Sequence, residues 1–383
     1  MSTSETTSMT PQRTALWEEH RDANARMVPF AGWEMPVQYA GVIAEVAAVR
    51  QNCGVFDVSH MGQFDIAGAG VTEALNRIVS ADWSQIAPGR VAYALLLNES
   101  GGVVDDVMGY RVGENEWLVV VNASRADVDE LYLRARLPPS IQLQNRYTLQ
   151  AMLAIQGPNA QDILRSLTAL DLASMRRRDC AQAVVAGAPG LLARGGYTGS
   201  DGFELMFEAR DAPRVWGALL EKSVVPCGLG ARDVLRMEAA LPLYGHELRE
   251  AWTPFESGCA FAVKVDKEEF VGRAALLEKR ASYQDGTPPC RIRALKMEGK
   301  AIPREGYAIW KGDVRLGEIT SGTLSPTVGA GIALAMLPHE MMPGEPVEVE
   351  IRGARHQATI VAPPFVAHAR AIEIEPQVNT IQK

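Results

Sequence analysis

Cysteine is scarce in this sequence. Five cysteines occur in 383 residues, and no two of them form a C-x-x-C pair. A scattered, odd-numbered set is not typical of a disulfide framework or a zinc cluster. We therefore expect buried free thiols in a reducing compartment, at Cys53, Cys180, Cys227, Cys259 and Cys290.

Long apolar runs and an excess of basic residues are also missing. No segment approaches the roughly 18 apolar residues that cross a bilayer, so no membrane span is predicted. Lys and Arg number 38 against 46 Asp and Glu, a formal net charge of -8, which argues against nucleic acid as the main partner. Residues 1–12, MSTSETTSMTPQ, lack an apolar core and early basic residues. We expect a disordered tail there rather than a targeting peptide, and a cytoplasmic location.

Familiar cofactor-binding and nucleophile motifs are also absent or incomplete. The stretch AGAGVTEAL lacks the third glycine of a dinucleotide-binding fingerprint, and no phosphate loop or G-x-S-x-G elbow occurs. His246 and Glu247 in GHELRE have no second histidine at the spacing of a zinc protease. The six histidines do not cluster, so His60 in DVSHMG is interpreted as a packing or turn residue. No metal site is predicted.

The pattern that is present is strand-rich α+β. Over residues 13–150, helical segments such as GVIAEVAAVRQNCG are interspersed with strands such as VAYALLLN and EWLVVVNA. A second run of similar rhythm covers residues 151–284 and includes the helix APRVWGALLEK. Short apolar strands with Gly turns then predict a small all-β, barrel-like domain over residues 285–383. We predict two similar lobes followed by this domain, not a doubly wound sheet.

Three polar stretches lie inside otherwise apolar sequence. In GGVVDDVMGY, Asp105 and Asp106 occupy successive strand positions, whose side chains point to opposite faces. In GGYTGSDGFEL, Glu204 faces the side opposite its two apolar neighbours. In GARDVLRMEAALPLYGHE, Arg232 and Arg236 lie four residues apart on one helical face. Two acidic residues of that stretch are available to pair with them, namely Asp233 and Glu238.

Taken singly, each stretch is equally typical of an exposed strand carboxylate or a surface ion pair. Together they suit one kind of ligand. A carboxylate among aromatic residues, such as Glu204, binds the paired N–H donors of a heteroaromatic edge such as a pterin, and Arg232 suits a ligand carboxylate. A second carboxylate, from the Asp pair, can stabilise positive charge or handle a proton. A folate has this combination of groups.

From about residue 12 to 366 the sequence resembles the aminomethyltransferase family, the T-protein of the glycine cleavage system. Several long motifs in order carry the resemblance, so it is far more specific than a single short pattern. They are MVPFAGWEMPVQY (27–39), GVFDVSHMG (54–62), LLLNESGGVVDD (95–106), LAIQGPNAQ (153–161), GYTGSDGFE (196–204), GARDVLRMEAALPLYGHE (230–247), FVGRAAL (270–276) and TSGTLSPTVGAGIALA (320–335).

The resemblance implies a three-domain clover-leaf, with two related α+β lobes and a C-terminal β-barrel-like domain around a central folate cavity. It also implies tetrahydrofolate as cosubstrate and a lipoylated carrier, the H-protein, as partner. In that reaction the carrier presents an S-aminomethyl group and tetrahydrofolate takes the one-carbon unit. Ammonia and the dihydrolipoyl carrier are released.

Residue by residue, the family's catalytic aspartate matches Asp106, which would stabilise the iminium-like carbon as the C–S bond breaks. The pterin-binding glutamate matches Glu204, and the arginine near the glutamate tail of the folate matches Arg232. Asp105 is left to the opposite face of the strand as a structural partner. Further pocket positions match Tyr197, Tyr110, Asn122 and Met61.

Two positions depart from the family pattern. Ser200 replaces the glutamate that usually follows GYTG. No tyrosine occurs after Tyr307, although the family often carries a folate-contacting tyrosine shortly after PFV. Arg370 lies at about that position and is predicted to meet a folate carboxylate instead. The change leaves open a tetrahydrofolate-dependent demethylase acting on a sulfonium, an amine or an O-methyl donor. A non-catalytic folate-binding factor is the remaining alternative, but its K-G-C-Y-x-G-Q-E motif is absent.

Overall fold

The computed structural model describes residues 10–283 and 287–366. Its helices are α1 (Trp17–Asp22), α2 (Val42–Gln51), α3 (Val71–Asn76), α4 (Ala126–Arg134), α5 (Ala160–Leu164), α6 (Ala212–Glu221), α7 (Leu229–Glu238) and α8 (Arg273–Ser282). The strands before residue 284 are β1 (Arg26–Phe30), β2 (Trp33–Gln38), β3 (Gly54–Asp57), β4 (Gly62–Ala67), β5 (Arg90–Leu97), β6 (Val103–Gly113), β7 (Glu116–Val121), β8 (Gln142–Asn145), β9 (Gln150–Gln156), β10 (Cys180–Val185), β11 (Ala188–Arg194), β12 (Gly202–Glu208) and β13 (Val225–Pro226). The later strands are β14 (Cys290–Met297), β15 (Ala308–Lys311), β16 (Val314–Ser325), β17 (Ala330–Pro338), β18 (Pro346–Ile351) and β19 (Ala354–Val361).

Two sheets of matching topology form the first two lobes. The first sheet has the order β5-β6-β7-β4-β8, and the second has the order β10-β11-β12-β9-β3-β13. In chain order both lobes run strand, helix, three strands, helix, strand, from β4 to β8 and from β9 to β13. Equivalent strands occupy equivalent places, except that β3 inserts between β9 and β13. The lobes are therefore related, and they are intertwined because β3 comes from the first part of the chain.

The third unit is a closed barrel of six strands in the order β14-β17-β16-β15-β18-β19. Alternation along β18 shows how it is filled, because side chains on a strand point to the two faces in turn. Val347 and Val349 are buried in the barrel core, while Glu348 and Glu350 face outward and accept hydrogen bonds from Gln357 and Trp310. The predicted α+β class with a C-terminal β-barrel is confirmed.

The two sheets pack against each other through a shared apolar layer. Tyr110 on β6 and Val120 on β7 come from the first sheet, and Met152 on β9 and Ala193 on β11 come from the second. All four side chains are less than a tenth exposed, and helices α2 and α7 add residues to the same layer. One edge of this layer opens into the central cavity.

Helix α7 contacts the barrel through two buried side chains that are also ion-paired, Glu238 and Arg236. Glu238 accepts from Arg50 of α2 at 2.8 Å and from the Ser325 hydroxyl of β16 at 2.6 Å. Two residues earlier, Arg236 donates to Glu247 at 3.0 Å and to the Ser321 hydroxyl of β16 at 2.9 Å. The predicted pairing of Arg236 with Asp233 is present at 2.8 Å. Glu238, in contrast, pairs across the structure rather than within its own helix.

The structure bears on the predicted N-terminal tail, the cysteines and membrane-spanning helices. The predicted tail ends too late, because Gln12 forms a bridge with Trp33 beside β2 and exchanges backbone hydrogen bonds with Gly32 and Glu34. Residues 1–9 lie outside the described residues. All five cysteines are free, as predicted. In the described part of the chain, no helix is both long and apolar enough to cross a membrane.

We expect Arg50→Met to destabilise the protein strongly. The substitution leaves the Glu238 carboxylate buried without its cation, a loss worth about 3–5 kcal/mol when one partner of a buried pair is removed. Arg315→Met is the matched control, because Arg315 and Glu318 form an exposed pair whose loss costs about 1 kcal/mol or less. Chemical denaturation of both variants measures the free energy of unfolding. Equal losses in the two variants would contradict a structural role for the buried pair.

Candidate active site

A cavity of about 640 Å³ lies where the two sheets, helix α7 and the barrel meet. Its size falls within the range of about 300–1,000 Å³ that small-molecule sites occupy. The first sheet contributes Tyr93, Asp106 and Tyr110, and the barrel contributes Ser321 and Gly322. The second sheet and helix α7 complete the wall with Met152, Ala193, Glu204, Leu229, Arg232 and Arg236.

Strand alternation on β6 determines which of the two aspartates faces the cavity. Asp106, Met108 and Tyr110 are two residues apart and all line it. Val107 points to the other side of the sheet, into the core of the first lobe. Asp105 is fully buried and is not part of the cavity wall. The two aspartates therefore occupy opposite faces, as the alternation predicts.

Asn122, at the end of β7, connects the two aspartates. Its side-chain nitrogen lies 2.8 Å from Oδ1 of Asp105 and 2.7 Å from Oδ1 of Asp106. Its backbone N–H also donates to Oδ2 of Asp105 at 3.0 Å. Both amide hydrogens of Asn122 are thus committed to carboxylates, so the position of the Asp106 side chain depends on the orientation of this amide.

The environment of Asp106 keeps its carboxyl group close to half-ionised at neutral pH. Burial, followed by the charge of Asp105, raises the pKa of Asp106 to about 7, although hydrogen bonds from Asn122 and Tyr93 oppose that rise. Tyr93 lies on the neighbouring strand β5 and stacks on Phe261, with 5.8 Å between ring centroids. A carboxyl group of this pKa, part-exposed to the cavity, is suited to proton transfer or to charge stabilisation.

Glu204 lies across the cavity on β12. Its neighbours Phe203 and Leu205 point into the core of the second lobe, which directs the glutamate to the opposite face. The hydroxyl of Tyr110 donates to Oε2 of Glu204 at 2.9 Å. Burial raises the pKa of Glu204, while the Tyr110 hydrogen bond and the charge of Arg232 lower it. This hydrogen bond links the first sheet to the second across the cavity.

Arg232 supplies a buried cation without a carboxylate bonded to it. Its Nη1 is buried and has no hydrogen-bond partner among the described residues, and burial lowers its pKa. The guanidinium carbon lies 4.9 Å from the centroid of the Tyr197 ring. Arg236, one helical turn later, is in contrast fully paired. An orphaned buried donor at a cavity wall indicates that a ligand supplies the missing acceptor.

Tyr197 is held by a tight turn of the chain between β11 and β12. Its hydroxyl donates to the backbone carbonyl of Pro242. The preceding Gly196 has φ +151°, and a Cβ there would lie 2.1 Å from Oε1 of Gln156. Gln156 in turn accepts from Thr198 at 2.7 Å and donates to the Gly195 carbonyl at 2.9 Å. The glycine is therefore required for the turn that presents Tyr197.

Seven of the eight residues predicted for the site lie around this one cavity. Arg370 is the exception, because it lies outside the described residues. The seven are Asp106, Glu204, Arg232, Tyr197, Tyr110, Asn122 and Met61. Other residues of the wall were not predicted, among them the aromatic residues Tyr93, Tyr244 and Phe261. Tyr93 could have been found from its apolar strand, since β5 pairs with the Asp-bearing β6.

His60 combines packing with a place in the cavity wall. It lies in the turn between β3 and β4, and its ring meets the edge of Phe30 at 5.6 Å, which agrees with its interpretation as a turn residue. Burial lowers the pKa of His60 to about 4, so the imidazole is neutral at physiological pH.

In the described residues no cluster of His, Cys, Asp or Glu is arranged to hold a metal ion.

Comparison with protein families gives two adjoining matches. Residues 16–267 match the family described as GCVT N-terminal domain. Residues 291–367 match the glycine cleavage T-protein C-terminal barrel domain. Together the two matches include the two lobes and the barrel.

Individual relatives agree over nearly the whole chain. A protein of Geobacillus kaustophilus named aminomethyltransferase is 42% identical over 94% of this chain and 100% of its own length. One of the same name from Rubrobacter xylanophilus is 44% identical, over 94% and 96%. The crystal structure of glycine cleavage system aminomethyltransferase T from Bartonella henselae superposes with a TM-score of 0.86 at 30% identity. It covers 93% of this chain and 98% of its own.

We expect Asp106→Asn to stabilise the protein at pH 8. Folding raises the pKa of Asp106 to about 7, whereas a free aspartate titrates at about 4. The stability that Asp106 contributes is therefore present below pH 4 and lost as pH rises through 7, because ionisation is disfavoured in the folded state. Asparagine cannot ionise and avoids that loss.

Thermal unfolding at pH 4 and pH 8 measures this effect. The melting temperature of the variant should exceed that of the wild type at pH 8 and approach it at pH 4. The exposed Asp313→Asn is the control and should follow the wild type at both pH values. A variant that is less stable than the wild type at pH 8 would contradict the raised pKa.

Proposed function

Because the chain belongs to the glycine cleavage T-protein family and is an aminomethyltransferase, we propose that its central cavity binds tetrahydrofolate and receives an S-aminomethyl group from a lipoylated carrier, the H-protein. The family matches and the named relatives confirm the family and the enzyme class that the motifs predict. The observation that carries the proposal is the meeting of Asp106, Glu204 and Arg232, from three separate elements, in one cavity of about 640 Å³.

The cavity wall fits a reduced folate. Glu204 accepts from Tyr110 through Oε2 and can accept the paired N–H donors of a pterin edge. Arg232 offers its buried Nη1 to an acceptor oxygen of the ligand, for which the resemblance indicates the glutamate tail. Met61, Tyr110 and Tyr197 supply apolar and aromatic surface for flat rings. Glu204 and Arg232 therefore orient the cosubstrate, and Asp106 is left for the reaction.

Asp106 acts on the charge that develops when the C–S bond of the donor breaks. Its ionised carboxylate stabilises positive charge on the transferred carbon, and burial strengthens that interaction because little water screens it. Asn122 holds the carboxylate in place through its 2.7 Å hydrogen bond. When bound, tetrahydrofolate supplies the nitrogen that accepts the one-carbon unit. Tyr93 donates a second hydrogen bond that keeps Asp106 ionisable near neutral pH.

A flexible carrier arm is compatible with the location of the cavity. The cavity lies at the junction of the two lobes and the barrel rather than on a flat surface, and a lipoyl arm suits delivery of an S-aminomethyl group to Asp106. We also infer a cytoplasmic location, which the five free cysteines support.

We expect Asp106→Asn to lower kcat by about 10²–10³, the usual loss when one electrostatic contact to the transition state is removed. Affinity for tetrahydrofolate should change only a few-fold, because Glu204 and Arg232 remain. The assay is ammonia release from aminomethylated H-protein in the presence of tetrahydrofolate. Asp313→Asn is the control for an exposed charge of the same type.

The same assay separates the two candidate reactions. A wild-type enzyme that releases no ammonia from the aminomethylated carrier, but takes methyl groups from a sulfonium, an amine or an O-methyl donor, would replace the T-protein activity with a demethylase. A variant that keeps full turnover would remove Asp106 from the mechanism and leave the family assignment intact.

Glu204→Ala should weaken tetrahydrofolate binding by about 1.5–3 kcal/mol, the value of a hydrogen bond to a charged group. The pterin donors lose their carboxylate, whereas Asp106 and its contacts are untouched. Isothermal titration calorimetry on the variant measures the change. Glu318→Ala, at an exposed site on the barrel, is the control. Unchanged affinity in Glu204→Ala would refute the assigned pterin contact.

A further inference from the structure

A row of acidic groups extends from the cavity into the interior of the first lobe. Asp106 lies at the cavity, Asn122 bonds to both Asp106 and Asp105, and Asp105 is followed by Asp129 of helix α4. Asp105 and Asp129 are both fully buried. Asp129 is absent from the cavity wall and is not among the residues that the family resemblance indicates.

The carboxyl group of Asp129 needs a proton to be stable where it is. Neither of its oxygens accepts a hydrogen bond from a donor group in the described ranges 10–283 and 287–366. The polar group that acts on it most is the carboxyl group of Asp105, whose charge interacts with it. Two carboxyl groups can bond to each other only when one of them carries the proton.

The proton belongs to Asp129 rather than Asp105. Asp105 accepts from the backbone N–H of Asn122 at 3.0 Å and from its side chain at 2.8 Å, and both bonds favour the ionised form. Asp129 has no comparable donors among the residues that the structure describes. Burial, followed by the charge of Asp105, raises the pKa of Asp129 to about 11.

The other charged and titratable groups nearby do not change this assignment. Arg125 is a cation whose charge lowers the pKa of Asp129, but it donates to the Val104 carbonyl at 3.0 Å and to Glu250 at 2.9 Å. Other groups that interact electrostatically with Asp129 or Asp105 include Asp106, Tyr132 and Tyr244. Both tyrosines stay neutral at physiological pH because burial raises their pKa values.

We propose that Asp129 is a positioning residue for the aminomethyl transfer. As a protonated acid it donates to Asp105, keeps that carboxylate ionised as the acceptor of both Asn122 N–H groups, and thereby fixes the amide that holds Asp106. The chain of contacts runs from helix α4 through β6 and the end of β7 to the cavity. This inference rests on the proposed role of Asp106 in the reaction.

Loss of the donor has a defined consequence. Without Asp129, Asp105 is a buried carboxylate that has lost one of the bonds stabilising its charge, and it takes up a proton itself. A protonated Asp105 is a poorer acceptor for Asn122, so the amide is free to turn. The negative charge that raises the pKa of Asp106 also disappears, and that pKa falls.

Infrared spectroscopy tests the proton directly, without activity. The difference spectrum between wild type and Asp129→Asn at pH 8 should show the loss of one protonated carboxyl band. Asp127→Asn, an exposed aspartate two residues earlier on the same helix, should show none. A wild-type protein that lacks this band at pH 8 would overturn the proposal, whatever its activity.

Kinetics test the positioning. Asp129→Asn keeps a neutral donor of the same size, so kcat and its pH profile should stay within about twofold of wild type. Asp129→Leu lacks the donor, and we expect kcat to fall about tenfold to a hundredfold, the effect of a small misplacement of a reacting group. KM for tetrahydrofolate should change less than about twofold, because Glu204 and Arg232 are unaffected.

The pH profile separates positioning from a loss of stability. In Asp129→Leu the acid side of the pH profile of kcat should move to lower pH. A merely structural role would lower the melting temperature and leave the pH profile unchanged. If both kcat and its pH profile are unchanged in Asp129→Leu, the proposal is overturned. If Asp129→Leu does not fold, the infrared band of the wild type and its loss in Asp129→Asn still decide. An inactive wild type would instead refute the proposed function.

Discussion

The buried ion pairs of helix α7 are the constraint on which the rest of the structure depends. Arg50 pairs with Glu238 and Arg236 pairs with Glu247 on one helix of ten residues, and the barrel hydroxyls of Ser325 and Ser321 bond to the same two helix side chains. Charges buried in this way are stable only when every partner is in place, because each unpaired member costs several kcal/mol. The same helix carries Arg232 into the cavity. The position of Arg232 is therefore determined by the contacts that hold the three units together.

Burial has opposite consequences for the two arginines of that helix. Arg236 is fully paired and serves as a structural cation, whereas Arg232, one turn away, has a buried donor with no partner among the described residues. On the facing sheets, Asp106 and Glu204 are carboxyl groups whose pKa values are raised by burial. Groups desolvated in this way interact strongly with a ligand that supplies the missing charges, since little rearrangement of water is then needed.

The related topology of the lobes gives the cavity its two facing walls. Strand β6 of the first sheet carries Asp106 and Tyr110, and strand β12 of the second carries Glu204. In each sheet the alternation of the strand directs the polar residue away from its own apolar core. The hydrogen bond from Tyr110 to Glu204 then joins the two walls. Behind the first wall, Asp105 accepts from Asn122, which also donates to Asp106, so hydrogen bonds connect the cavity face to the interior of the lobe.

The sequence by itself determined the features that depend on neighbours along the chain. Alternation separated Asp105 from Asp106, Gly turns and apolar strands predicted the barrel, and scattered cysteines predicted free thiols. The motifs indicated the family and seven residues that meet in one cavity. The tertiary structure alone decided which of two equivalent arginines is paired, that β3 joins the second sheet, and that Asp129 lies against Asp105. Those outcomes depend on contacts between residues far apart in the chain, such as Glu238 with Arg50. Local periodicity carries no information about such contacts, because it records the face of an element and not the element that packs against it.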